Sequence, residues 1–326
     1  MSRRATARSL PGAVFGYALT LTLLVCLNFV ALHALPGDPL TVLLGDATLV
    51  FPDEALRARL ADLHGLDGSL GERFLRYVGR LARGDLGWSL SHAAPVRDLV
   101  IQMLPWTLAL VACASVLAFV LGLGGGVEAA LRHGSRENPW ILATLAFLDS
   151  IPPFVKAILI LFVFGLWLEV VPTAGALAPF SDTTGLARAL ELAHHAVAPV
   201  ATLAVHETSK LLLFARGTTL ALLSRPFLTV AVAKGVGPWR LRRAYLAPNA
   251  LAAVVARTAA LMSGMMAGAV FVETVFAYPG IGRLAVEAIA VRDLPLAQGL
   301  FLVLGAVILT LNLVADLIVL RLDARG

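Results

Sequence analysis

Charge is what this sequence has little of. Only 14% of its 326 residues are Asp, Glu, Lys or Arg, against roughly 25% in an ordinary soluble domain. That deficit excludes a water-solvated globule of this length and makes lipid the solvent for much of the chain. Cysteine is nearly absent. Cys26 and Cys113 are the only two, both inside apolar runs, so they offer neither a disulfide framework nor metal-ligand spacing. No G-x-x-x-x-G-K-S/T phosphate loop occurs: Gly122-Leu-Gly-Gly-Gly126 lacks the lysine and ends an apolar run, which puts nucleotide hydrolysis on another chain. Internal repeats and low-complexity tracts are also missing.

What is present is hydrophobic, 59% of the chain, in stretches long enough to cross a bilayer core of about 30 Å as helices of roughly 20 residues. Lipid cannot satisfy open backbone groups, so the expected fold class is all-α. Six spans are predicted, at about Ala13–Leu35, Val100–Val127, Trp140–Leu168, Leu190–Leu223, Ala250–Val272 and Leu296–Leu320. The first is longer than a cleavable signal core and ends in Leu-Pro-Gly-Asp, so it reads as a retained helix.

The net charge of +5 sits mainly in short loops beside these spans, which is how orientation is encoded, and does not suggest nucleic acid. Arg3, Arg4 and Arg8, Arg132 and Arg136, the group from Arg216 to Arg243, and Arg321 and Arg325 fall on one side if there are six spans. That side is the expected cytoplasm, giving an N-in/C-in protein. The arginines of the long segment Pro36–Leu99 alternate with Asp53, Glu54, Asp62, Asp67, Glu72 and Asp85. This segment reads as a small, partly helical external subdomain. The expected division is residues 1–99 for span 1 plus that subdomain and 100–326 for the core.

The connection between spans 4 and 5, about residues 224–249, is the most informative. Phe227, Val230 and Ala231 recur at helical spacing. Gly235 and Gly237 then allow a tight turn, and Pro238 suits the first turn of a second basic helix. A helix-turn-helix lying flat under the membrane is expected, shaped to dock on a partner and pass motion to spans 4 and 5.

Ala231-Val-Ala233-Lys234-Gly235 resembles the coupling loop of permease subunits of ATP-binding-cassette importers. Further strings narrow the resemblance to the dipeptide, oligopeptide and nickel group: Leu35-Pro-Gly-Asp-Pro, Arg83-Gly-Asp-Leu-Gly-Trp-Ser89, Ser150-Ile-Pro-Pro-Phe154, Glu273-Thr-Val-Phe-Ala-Tyr-Pro-Gly-Ile-Gly-Arg-Leu284 and Arg292-Asp-Leu-Pro295. Leu246-Ala-Pro-Asn-Ala250 matches the family's loop end only loosely. The resemblance covers nearly the whole chain. It implies the type I importer permease fold in a bacterial inner membrane and half of a translocation pore for peptides, with nickel or a metal chelate as the alternative cargo. It implies a second, homologous permease, two ATPase subunits that bind ATP and Mg, and a periplasmic or lipid-anchored solute-binding protein. No cofactor is expected on this chain. In the resembled family Ala231, Ala233, Lys234, Gly235 and Gly237 would belong to the segment that binds the ATPase.

Charges inside spans mark function by default. Lys156 in span 3 and Glu207 and Lys210 in span 4 are candidates for the translocation path, beside Asp149 and Arg257; Lys156 departs from the family, which usually has an apolar or aromatic residue there. The alternative is internal pairing, since Glu207 and Lys210 stand at i, i+3. Met262, Met265 and Met266 in span 5 are path or packing residues. Gly264 and Gly268 form a G-x-x-x-G, read as close helix packing. His194, His195 and His206 invite a metal reading, but the first two point to different faces. His206-Glu-Thr-Ser-Lys210 lacks the second histidine of a zinc-protease helix. A secondary transporter should show repeated broken spans in two halves, and none is visible; a non-transporting structural subunit leaves the coupling-type loop unexplained.

Overall fold

The computed structural model describes residues 10–33, 69–132 and 138–323. The Leu35-Pro-Gly-Asp-Pro string, the acids from Asp53 to Asp67, and Arg3, Arg4, Arg8, Arg136 and Arg325 lie outside the described residues.

The elements run α1 (Leu10–His33), α2 (Leu70–Ala82), β1 (Trp88–Ser89), β2 (Ala94–Pro95), α3 (Val96–Leu131), α4 (Asn138–Ser150), α5 (Pro153–Ile160), α6 (Gly185–Leu223), α7 (Pro226–Ala233), α8 (Ala247–Val275), α9 (Ile281–Ala290) and α10 (Leu294–Asp323). A π-helical stretch, Leu161–Trp167, extends α5. A turn of helix at Pro238–Arg240 and a second π stretch, Leu241–Leu246, lead into α8.

Five of these helical stretches are long and apolar enough to cross a membrane: Leu10–Ala31, Val96–Leu131, Gly185–Leu223, Pro238–Val275 and Leu294–Arg321. The sixth predicted span is present but broken. Ala143–Ser150 and Pro153–Trp167 meet at 99°. The cause is the tandem Pro152-Pro153. Neither residue donates a backbone hydrogen bond, and each biases its predecessor away from helix. Pro199 is tolerated inside α6, and Pro105 inside α3. Several helices overrun the sequence expectation; α6, for example, begins at Gly185 rather than Leu190.

One antiparallel strand pair departs from the all-helical expectation, with Trp88 opposite Pro95 and Ser89 opposite Ala94. It lies outside the spans, where the lipid constraint on open backbone groups does not apply. Within the long segment before α3, α2 starts with a reciprocal cap. The Glu72 carboxylate accepts from the Ser69 N–H at 2.8 Å, and Ser69 Oγ accepts from the Glu72 N–H at 3.4 Å. Phe74 and Tyr77 of α2 pack on Phe29 of α1, with ring centroids 5.2 and 5.7 Å apart.

The core sits among α3, α6 and α8, with α9 and α10 closing one end and α1 lying outside on α10. The α3–α6 seam is close because Gly122 and Gly126 have no side chain. A Cβ at Gly122 would lie 2.6 Å from Leu211 Cβ, and one at Gly126 would lie 2.5 Å from Ala215 Cβ. These two residues are themselves a G-x-x-x-G pair, the small-residue spacing that brings membrane helices together.

A candidate coupling bracket and intramembrane cleft

The connection between α6 and α8 forms a rigid bracket. Pro226 opens α7 at its first turn. Gly235 ends it in the left-handed region at φ +76°. The Val236 N–H donates to the Ala231 carbonyl at 3.2 Å, and the Gly235 N–H to the Val232 carbonyl at 2.9 Å, so the end is a Schellman cap. Gly237, expected to share this duty, does not. Its φ is −63°, open to any residue. The second helix of the expected pair is not separate either, since the chain from Pro238 runs on into α8.

The bracket's inner face is Leu228 and Ala231, both buried, with Leu228 packed beside Leu246 against Val127 at the end of α3. Glu128 of α3 reinforces the seat, accepting from Arg242 Nε at 2.9 Å and from its terminal nitrogen at 3.3 Å. Phe227 and Val230, expected to share the face of Ala231, point outward instead, as do Val232 and Trp239. The sequence spacing was helical, but α7 is apolar all round, so periodicity did not select its buried side. Ala233, Lys234, Gly235 and Gly237 are exposed beside this apolar patch, with Arg240 and Arg243.

The two helices joined by the bracket also form the walls of a cleft of about 240 Å³. Leu203, His206, Glu207 and Lys210 come from α6; Gly264, Met265, Ala267, Gly268 and Phe271 from α8; Pro153 comes from the broken span. Glu207 is the sixteenth residue before the end of α6, about 24 Å along the helix axis, near the middle of that helix.

Of the predicted path residues, the structure brings Glu207, Lys210 and Met265 to this cleft. Met266 lies in the core, Met262 packs against it, and Met265 also accepts a hydrogen bond from Ser115 at 3.1 Å. Lys156 is 4% exposed. Its ammonium donates to the Leu148 carbonyl at 2.7 Å across the break and meets His206 Nδ1 at 2.7 Å. It closes a helix end opened by Pro152 and Pro153. The expected i, i+3 pair forms, Lys210 Nζ to Glu207 Oε1 at 3.3 Å, yet Glu207 Oε2 is buried with no partner. Asp149 Oδ1 is also unpartnered, and Arg257 stands 6.0 Å from the Phe214 ring centre. Gly264 and Gly268 line the cleft. A Cβ at Gly264 would meet nothing within 4 Å, and one at Gly268 only Leu203 at an ordinary 3.5 Å.

His206 was considered in sequence only as a metal or protease residue; its place here is between Lys156 and Lys210. His194 and His195 contact backbone carbonyls of Val170 and Glu191. No group of three or more His, Cys, Asp or Glu positioned to hold a metal is assembled among the described residues.

Two of the quoted strings turn out to be structural clasps at the opposite end from the bracket. Glu273, 0% exposed, folds back onto the start of α9. It accepts from the Gly282 N–H at 2.9 Å, the Arg283 N–H at 3.1 Å and the Thr107 hydroxyl at 2.6 Å. A Cβ on Gly280 would overlap this carboxylate, which explains the glycine. Asp293 caps α10 through the Leu296 N–H at 3.2 Å. It also accepts from Ser89 Oγ at 2.7 Å, Ser91 Oγ at 2.7 Å and the Ser91 N–H at 2.9 Å. Burial alone would raise the Asp293 carboxyl, but these donors outweigh it and hold it below its ordinary value. The Arg83–Ser89 and Arg292–Pro295 strings are thus two halves of one contact.

Residues 118–325 match the family described as the binding-protein-dependent transport system inner membrane component. The chain is 32% identical over 314 residues to a putative peptide permease protein of Brucella ovis, covering 95% of each. It is 31% identical over 300 residues to a putative peptide transport system permease protein of Brucella abortus, covering 92% of each. A di/tripeptide transport system permease protein of Pseudomonas aeruginosa is 29% identical over 306 residues, with 90% of each covered.

Proposed function

The chain belongs to the family of binding-protein-dependent transport system inner membrane components, and from that premise we propose that it is a transmembrane permease subunit of an ATP-driven peptide importer, forming half of its translocation pore. Peptide cargo is supported by the names of three relatives that align along nearly their whole length. No observation favours nickel or a metal chelate.

The observation that carries the reading is the bracket: α7, locked by Gly235 and seated on α3, joins the two helices that wall the cleft while presenting Phe227, Val230 and Val232 outward. An exposed apolar face rimmed by cations, outside the spans, is a docking surface. Its partner is an ATPase subunit, which binds the ATP and Mg that this chain has no loop to hold. Force applied there moves α6 and α8 together or apart and so changes the cleft between them. The complete importer has two ATPases, a second permease and a solute-binding protein on the far side. The bracket faces the cytoplasm and both termini lie inside, following the arginines and lysine that flank α7. Residues 1–99 form the first helix and external subdomain, 100–326 the transport core, and about 224–249 the coupling segment.

Affinity purification from mild detergent tests this directly. A phosphate-loop ATPase and a second permease should be recovered with the chain, and the ATPase lost when Gly235→Pro removes the left-handed cap. Recovery of the chain without an ATPase would contradict the proposal.

A further inference from the structure

Resting on the peptide-importer reading, we propose that the α6–α8 cleft is a contact site for the free amino terminus of the cargo, with Glu207 Oε2 as its acceptor. Glu207 is 3% exposed and lines the cleft. Its Oε1 holds Lys210, while Oε2 has no partner, and a buried carboxylate oxygen left open is costly unless a donor arrives. Arg257 acts on Glu207 only through its charge and makes no hydrogen bond to Oε2, and the two nearer groups are committed elsewhere. Neutral His206 has one acceptor nitrogen, and the 2.7 Å contact assigns it to Lys156. Lys210, at 3.1 Å from Nε2, then faces an N–H, is anchored by Glu207 Oε1, and keeps hydrogens for a carbonyl.

The cleft therefore has a buried, unpartnered acceptor and an adjacent donor at its wall, beside the apolar side chains of Leu203, Met265 and Phe271. A peptide's first residue offers the complement: an ammonium, a carbonyl and a side chain. The volume of about 240 Å³ is below the roughly 300–1,000 Å³ of drug-sized sites, in keeping with one or two residues.

Gly264 provides the probe position, since it lines the cleft and a Cβ there meets nothing within 4 Å. The chain carries Gly264→Cys with Cys26 and Cys113 changed to alanine. In the detergent-solubilised importer without its binding protein, alkylation of that cysteine by N-ethylmaleimide is followed by mass spectrometry. Dialanine should slow labelling, and N-acetyl-dialanine, which lacks the ammonium, should protect at least about tenfold less well, the scale of a charged hydrogen bond. Glu207→Gln should abolish the difference, because its oxygen stays with Lys210 and its NH₂ then meets the ammonium. Equal protection by both peptides, no protection, no labelling of the cysteine, or a difference that survives Glu207→Gln would each overturn the proposal. The comparison of the two peptides on unaltered Glu207 stands even if the glutamine variant is unstable. Uptake of dialanine by the assembled importer, measured in parallel, separates the two levels. Uptake without the protection difference sinks this inference alone, whereas failure to import any peptide sinks the importer reading.

Discussion

Glu273 and Glu207 are both buried glutamates on helices of the core, 0% and 3% exposed, and they have opposite surroundings. Glu273 is met by two backbone N–H groups and a hydroxyl from its own fold. Glu207 has one oxygen held by Lys210 and the other buried at the wall of a cleft with nothing to meet it. The first arrangement is complete without any other molecule and belongs to stability. The second is complete only when something else binds. Among intramembrane acids, the count of occupied acceptors therefore separates a clasp from a contact site better than burial does.

The strongest way to break this comparison is Glu273→Ala. It strands three donors in the interior and should cost about 3 kcal/mol or more, read as a lower thermal midpoint in detergent with no well-folded fraction left to transport. Gly280→Ala tests the same clasp from the other side. A methyl pushed against the carboxylate should cost about 1–3 kcal/mol, with partial loss of folded protein. Glu207→Gln should sharpen the contrast, costing less stability than Glu273→Ala because its amide oxygen still accepts from Lys210, while peptide uptake falls about tenfold. If Glu207→Gln unfolds the protein as Glu273→Ala does, the distinction fails.

The smallest effect concerns Asp293, a second satisfied acid. Its folded value lies below the unfolded one, so its contribution is fully present above the unfolded carboxylate value of about 3.9 and is lost only as pH falls through the folded value. The Asp293 contribution to thermal stability should therefore stay flat from about pH 8 to 5 and decline only below about 4. Asp293→Asn should reduce that acid-side decline, measurable by thermal unfolding across the pH series.

Much of this was legible in the sequence because lipid imposes it. Spans such as Val96–Leu131 and Leu294–Arg321 follow from apolar length alone. The bracket was visible through Gly235, Gly237 and Pro238, although only Gly235 adopts the left-handed turn conformation. What was hidden depends on long-range contact. Periodicity put Phe227, Val230 and Ala231 on one face but could not orient it, because α7 has no polar face; only the pocket of Val127 and Leu246 shows that Leu228 is the buried residue. Gly264 and Gly268 carried the spacing of a helix seam, yet the seam uses the same spacing at Gly122 and Gly126. Both pairs were readable, and only the facing helix decides between them. The broken third span was signalled by Pro152-Pro153, but not its angle. The role of Lys156 follows from that angle.

The account's central claim is that the bracket transmits ATPase motion to the cleft. The most direct measurement is peptide uptake per ATP hydrolysed in proteoliposomes, comparing Gly235→Pro with Gly237→Ala. Gly235 alone requires the left-handed conformation, which proline cannot adopt. Its replacement should reduce uptake at least about tenfold in protein that is still inserted, whereas Gly237→Ala should leave uptake close to wild type. Normal coupled uptake in Gly235→Pro would contradict the account.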